Sequence, residues 1–298
     1  MTVTIEGHDD AARALADDAL SVRPPGEPVP RHLLGTPLGE LFARFARMND
    51  GARHARLRTL VDRRLLTFTD TAVRRAAERA AELARQTAAG DAPRLLFLMR
   101  FAYPAAVAAS LLGFADCEVF ALASDARRIV LAVAAASDPA ATADGCAALA
   151  ALDRAFARHE RLRELSDDAR ANAIGLMFQA VDGCAGLIGN ALVQLARGAD
   201  GRDLPALVAN VACHDAAIHT TRRYGSEGDT MLVRLTSGLP FGNGPHACPG
   251  REIALTIASV ALATLLAADT DLGAFAEPAY LASVNARIPV CPMDGAFG

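Results

Sequence analysis

Tryptophan is absent from these 298 residues, and aromatic side chains of all kinds make up only 5% of them. The interior must then be filled by Ala, Leu and Val, which suits helices in close contact and disfavours a β-sandwich. A continuous apolar run is also missing from the first thirty residues, where the acidic pairs Asp9-Asp10 and Asp17-Asp18 interrupt the pattern. That excludes a secretory signal and an N-terminal anchor, and it predicts a cytoplasmic protein. The six cysteines (117, 146, 184, 213, 248 and 291) contain no CxxC pair, so no disulfide framework is expected and each is judged alone. Cys117, Cys146 and Cys291 read as small buried hydrophobes. A basic stripe is lacking as well: the formal net charge is -4 and the pI about 6.0, which excludes nucleic acid as a partner. The most apolar stretch, 253–268, is broken by Thr and Ser and follows Arg251 and Glu252. It reads as a buried core helix, and no membrane association is expected.

What is present is a hydrophobic content of 52%, enough for a large core and consistent with a single domain over residues 1–298. The fold class is mainly α. A short strand is predicted at 3–5 and a helix over 8–20, followed by a break at Pro24-Pro25-Gly26. Helical periodicity then recurs over 38–48, 52–66, 71–88 and 92–112, and continues over 115–163. The longest pattern begins at Leu165-Ser166-Asp167-Asp168, where Ser or Asp can cap the first turn, and runs without proline to Arg197. A helix of that length spans about 45 Å, enough to cross the domain. A further helix is predicted over 204–213, then short strands at 218–223 and 231–235, a glycine-rich loop, and a helix after Cys248.

That loop reads Phe241-Gly242-Asn243-Gly244-Pro245-His246-Ala247-Cys248-Pro249-Gly250. Its glycines can adopt backbone angles closed to other residues, and amides at the start of the following helix stabilise a thiolate, as an anionic metal ligand requires. Phe241 would shield the sulfur from water. Five fixed residues at these spacings arise by chance on the order of once in ten thousand such chains.

At these residues the sequence resembles the cytochrome P450 family, whose haem-thiolate loop reads Phe-Gly-x-Gly-x-His-x-Cys-x-Gly. The resemblance implies a reduced P450-like fold, with a long central helix over haem b (iron protoporphyrin IX) and small peripheral β-sheets. It makes Cys248 the iron ligand and assigns Phe241, Gly242, His246 and Gly250 to the cofactor loop. His54-Ala-Arg-Leu-Arg58 is similar to the family's helix motif in which a His and an Arg, four residues apart on one face, bind a haem propionate. Phe101-Ala-Tyr-Pro104 and Leu111-Leu-Gly113 resemble bacterial members. Thr220-Thr-Arg222 resembles the strand whose arginine reaches the other propionate, and His246 occupies a loop position that does likewise.

The chain departs from that pattern in three places. The long helix carries Gln179-Ala-Val-Asp-Gly-Cys184 where the family has Ala-Gly-x-Asp/Glu-Thr-Thr. The acid is kept as Asp182, Gly183 stands for the first threonine and Cys184 for the second, which weakens the acid-alcohol relay that delivers protons during dioxygen activation. Asp182 reads equally as a proton donor, a counter-ion to a substrate amine, or a solvated helix acid, and Cys184 as a packing residue. Second, Asn210-Val-Ala-Cys213 replaces the family's Glu-x-x-Arg. Third, few residues separate Leu235 from Phe241, where the family inserts the proximal segment on which redox partners dock.

The resemblance therefore implies a compact haem-thiolate oxidoreductase, monooxygenase-like but with its oxygen activation altered, acting on a small-molecule substrate in specialised (secondary) metabolite biosynthesis. Peroxide-driven or redox-neutral chemistry fits the missing hydroxyl. The redox partner is unassigned because the docking region is shortened. The alternative is a non-catalytic P450-like partner protein of a biosynthetic enzyme such as a glycosyltransferase.

Overall fold

The helix that organises the molecule is α9, Asp167–Ala196, thirty residues capped by Ser166, whose hydroxyl accepts from the Ala169 amide. Its middle and C-terminal half is buried on every side, from Cys184 to Val193 without interruption. Such a helix runs through a core rather than over it. In this computed structural model, which describes residues 2–136, 138–236, 238–283 and 285–296, ten further helices surround α9.

They are α1 (His8–Ala16), α2 (Pro37–Ala43), α3 (Gly51–Leu65), α4 (Asp70–Ala88), α5 (Ala92–Phe101), α6 (Tyr103–Leu112), α7 (Val119–Ala134), α8 (Pro139–Arg158), α10 (Leu204–His214) and α11 (Arg251–Ala267). The main core draws on α4, α6, α7, α9 and α11. Alanine makes the close approach possible: Ala77, Ala80, Ala81, Ala84 and Ala88 form one buried stripe on α4, facing a second on α6 at Ala105, Ala106 and Ala109. The fold class is thus the mainly α one expected from composition.

Strands are few and peripheral. In one sheet β3 (Thr230–Arg234) is central, parallel to β1 (Thr2–Ile5) and antiparallel to β2 (Thr220–Tyr224). A two-stranded ladder joins β4 (Ala279–Tyr280) to β5 (Pro289–Val290).

Three expectations from periodicity and one about the cysteines are corrected. The helix expected over 8–20 ends at Ala16, because the Asp17 carboxylate takes the Ala19 amide into a turn. The pattern over 38–48 is not one helix. Asn172 on α9 accepts from the Ala46 amide and donates to the Arg44 carbonyl, holding 46–48 as a separate tight turn. The pattern over 92–112 breaks at Ala102 into α5 and α6, 56° apart, since Pro104 has no amide to give the preceding turn. Cys117 is exposed rather than buried, and Cys146 only half-buried; Cys291 is buried as expected.

Among the described residues two segments, α9 and 244–267, are long and apolar enough to cross a membrane; 67% of the apolar window is buried inside the chain in α9 and 33% in 244–267.

Candidate active site

The cysteine loop is held at both ends and from below. Gly242 and Gly244 adopt φ of 77° and 66°, the left-handed region in which a side chain is strained. A Cβ at Gly244 would also lie 2.9 Å from the Ala16 Cα, so α1 presses directly on the loop. Asn243 Nδ2 donates to the Ala12 carbonyl at 3.2 Å. From the other side Arg58 on α3 donates to the carbonyls of Pro245 and Ala247, at 3.0 and 2.9 Å. The Cys248 amide closes the loop onto the Phe241 carbonyl at 2.8 Å, and the Arg251 guanidinium lies 5.3 Å over the half-buried Phe241 ring.

Cys248 itself is solvent-accessible, yet burial pushes its thiol pKa up. A side chain that is both accessible and strongly desolvated lines a recess rather than a convex surface. Opposing that burial, the Gly250 amide donates to the sulfur, and the charges of Arg58 and Arg47 favour the thiolate.

Beside the loop lies a cluster of imidazoles, guanidiniums and carboxylates. The rings of His54 and His246 are 4.0 Å apart, and His246 Nε2 is 3.2 Å from Asp50 Oδ1. Burial, then the charges of His246 and Arg58, push His54 down to about 4. Asp50 is raised by burial but brought below its ordinary value by hydrogen bonds from His246 and the Val22 amide and by the charges of His246 and Arg223. His54, His246 and Arg223 therefore act on Asp50, while Arg58 is paired with Asp62 at 2.7 Å.

Across the recess, the charges on Asp182 and Arg47 act on each other, and that of Cys248 acts on Arg47 and on Cys184. Burial raises Asp182, and Arg47 and Arg127 pull it part of the way back. Cys184 is buried, and its pKa is pushed up to about 12, so it is a thiol. A Cβ at Gly183 would meet nothing within 4 Å: the position lost from the relay opens onto free space.

This architecture matches solved structures closely in shape and weakly in sequence. A structure of P450BioI in complex with an acyl-ligated acyl carrier protein superposes with a TM-score of 0.70 at 17% identity, over 96% of this chain and 90% of that one. CYP109Q5 from Chondromyces apiculatus gives 0.67 at 22%, over 88% and 81%. CxnD, a cytochrome P450 for C–S bond formation in chuangxinmycin biosynthesis, gives 0.65 at 18%, over 89% and 79%.

The fold is that of the cytochromes P450. No protein-family model and no curated protein matches the chain, so the shape is shared where the sequence has diverged.

Within this P450 fold most of the residues singled out in sequence meet at one place. His54, Arg58, Phe241, Gly242, His246, Cys248 and Gly250 surround the loop, with Asp182, Gly183 and Cys184 on the long helix. Their chemistry suits a haem: a thiol at the head of a helix lies beside imidazole and guanidinium donors that could bind its two carboxylates. Arg222 is the exception. Side chains alternate along β2, and it is the buried Arg223 whose charge reaches Asp50, while that of Arg222 acts on Arg23. Sequence reasoning also missed Asp50, Arg47 and Arg127. Asp50 could have been suspected from its place just before α3, but nothing local marks the two arginines.

Two ion pairs tie the C-terminal segment to the helices. Arg287 Nε lies 3.1 Å from Asp215 at the end of α10, and the fully buried Arg100 pairs with Asp294 at 2.9 Å. A cleft of about 310 Å³ lies between α3 and α9 and another between α4 and helices α10 and α11, and Cys248 lines neither.

Proposed function

We propose that the chain is a single-domain haem-thiolate enzyme of P450 type, residues 1–298, acting on a small organic molecule in specialised metabolism. The observation that carries this is the position of Cys248: its sulfur accepts from the Gly250 amide at the start of α11 and faces the Asp182 segment of α9. Haem b bound there would supply oxidative chemistry to a substrate in the recess, with the thiolate donating electron density to the iron. His54, His246, Arg58 and Arg223 would hold the propionates. Asp182, raised by burial, is a proton donor placed on the side of the substrate. Without a hydroxyl at Gly183 it has no adjacent alcohol to pass that proton through, which favours peroxide-driven or redox-neutral turnover over reductase-dependent oxygenation. The segment from Leu235 to Phe241 leads from β3 into the cysteine loop without an inserted domain, so a redox partner would meet α1 and the loop itself. A role in specialised metabolism is supported by CxnD, whose chemistry belongs to chuangxinmycin biosynthesis.

The test is the spectrum of the purified protein, reduced and exposed to carbon monoxide. A red-shifted thiolate-type Soret band that disappears in Cys248→Ser supports the assignment. Colourless protein from haem-replete cells sinks it and favours the non-catalytic helper. Turnover with peroxide against turnover with reductase and NAD(P)H then separates the two chemistries.

A further inference from the structure

The turn 46–48 acts as a wedge between α3 and α9. Asn172 on α9 accepts from the Ala46 amide at 2.9 Å and donates to the Arg44 carbonyl at 2.8 Å, and Ala46 packs with Leu57, Val61 and Leu176 in a small core separate from the main one. Beside that wedge the two helices do not close on each other. They leave the cleft of about 310 Å³, walled by Leu60 and Val61 from α3 and by Ala169, Ala173 and Leu176 from α9, with Leu165 just before that helix. Its volume lies at the lower end of the range for small-molecule pockets. Two alanines in the wall keep it open where larger side chains would fill it.

The charges around this cleft are unevenly spent. Asp168 at the head of α9 is shared by Arg44 at 3.1 Å, Arg56 at 3.2 Å and Arg53 at 3.8 Å, and Asp167 pairs with Arg44 at 3.5 Å. Asp62 is taken by Arg58 at 2.7 Å, and Glu164 lies 3.8 Å from Arg163. Each of these acids already has an arginine. Arg63 and Arg64 also line the cleft, the first exposed and the second half-buried, and neither side chain makes a hydrogen bond or ion pair with any described residue. The last turn of α3 is a favourable place for two cations, which lets them stand there unpaired.

From this we infer that the cleft between α3 and α9 binds an amphiphile with an anionic head, its short aliphatic tail against the leucines and its head on Arg63 and Arg64. Guanidinium groups bind carboxylates and phosphates through charge-assisted hydrogen bonds, so both heads satisfy the same chemistry. A neutral chain of equal length gains the apolar burial alone, and an ammonium head meets the free pair as a like charge. This site stands apart from the cysteine loop: neither Cys248 nor any of His54, Arg58, His246 and Asp182 lines the cleft. It therefore owes nothing to the haem assignment.

The test is calorimetric titration of the purified full chain with octanoate, octyl phosphate, octanol and octylammonium, four probes of one chain length, each below its micellar concentration. At least one anion is expected to bind at least about tenfold tighter than octanol, with octylammonium weakest, and the tighter of the two anions names the head group. Arg63→Gln combined with Arg64→Gln should bring that anion to within about twofold of octanol. Ala169→Phe fills the cleft and keeps both charges, and it should weaken the anion and octanol alike by at least about tenfold. These positions are exposed or half-buried, circular dichroism checks that each variant is folded, and either variant decides alone. An anion preference that survives the arginine changes, or binding that survives Ala169→Phe, puts the ligand elsewhere, the surroundings of Cys248 included, and overturns the inference. Both anions binding no tighter than octanol, binding by none of the four, or octylammonium as the tightest overturns it as well.

Discussion

The imidazoles of His54 and His246 stack with centroids 4.0 Å apart, joining α3 to the cysteine loop. His54 is held neutral, its pKa down to about 4 from an ordinary 6.5, by burial and by the charges of His246 and Arg58. With a native pKa below the unfolded one, the unfolded chain binds the proton first. The contribution is then complete above about pH 6.5 and is lost as pH falls toward 4. In urea unfolding, the stability of the wild type relative to His54→Gln should fall by about 1 kcal/mol between pH 7 and 4.5. An unchanged difference would show that His54 titrates normally.

Gly244 and Gly250 belong to one motif but should respond unequally to alanine. Gly244 has φ 66° and a Cβ there would lie 2.9 Å from the Ala16 backbone, whereas Gly250 has φ of -98° and nothing within 4 Å. Gly244→Ala should cost about 1–3 kcal/mol and loosen α1 from the loop, seen as faster proteolysis of the first twenty residues. Gly250→Ala should unfold within about 0.5 kcal/mol of the wild type.

Gly183 opens onto space, and glycine is a poor residue inside a helix. Gly183→Ala should raise stability by about 0.5–1 kcal/mol, and Gly183→Thr by less because of its branched side chain. If the hydroxyl is what the proton relay lacks, Gly183→Thr should also raise the share of consumed reductant that appears as oxidised product. Thermal unfolding and product-to-NADPH ratios read the two effects separately.

Arg100 is fully buried and its charge is matched by Asp294, with the Arg100 guanidinium also 4.6 and 5.0 Å over the Phe101 and Phe275 rings. Removing the acid leaves a buried cation. Asp294→Ala should therefore destabilise the protein by about 3–5 kcal/mol in urea unfolding, and Arg100→Met with Asp294→Ala should recover much of that loss.

Local chemistry explains what was legible from the chain alone. The cysteine loop and its two left-handed glycines, the capping of α9 at Ser166 and the alanine-rich helical core follow from residues close in sequence or from a motif spacing, whereas the meeting of His54 with His246, far apart in the chain, is implied only by the family resemblance. Two adjacent arginines on β2 could not be told apart, because the face each takes depends on which side of the strand meets the domain; the structure turns Arg223 inward and Arg222 away. The separation of 46–48 from α2 arises from Asn172, more than a hundred residues later, whose amide competes for backbone groups that a helix would otherwise use. The convergence of Arg47 and Arg127 on Asp182 has the same origin: the sequence determined that these charges exist, and only the packing of the 46–48 turn and α7 against α9 decided that they act on one another.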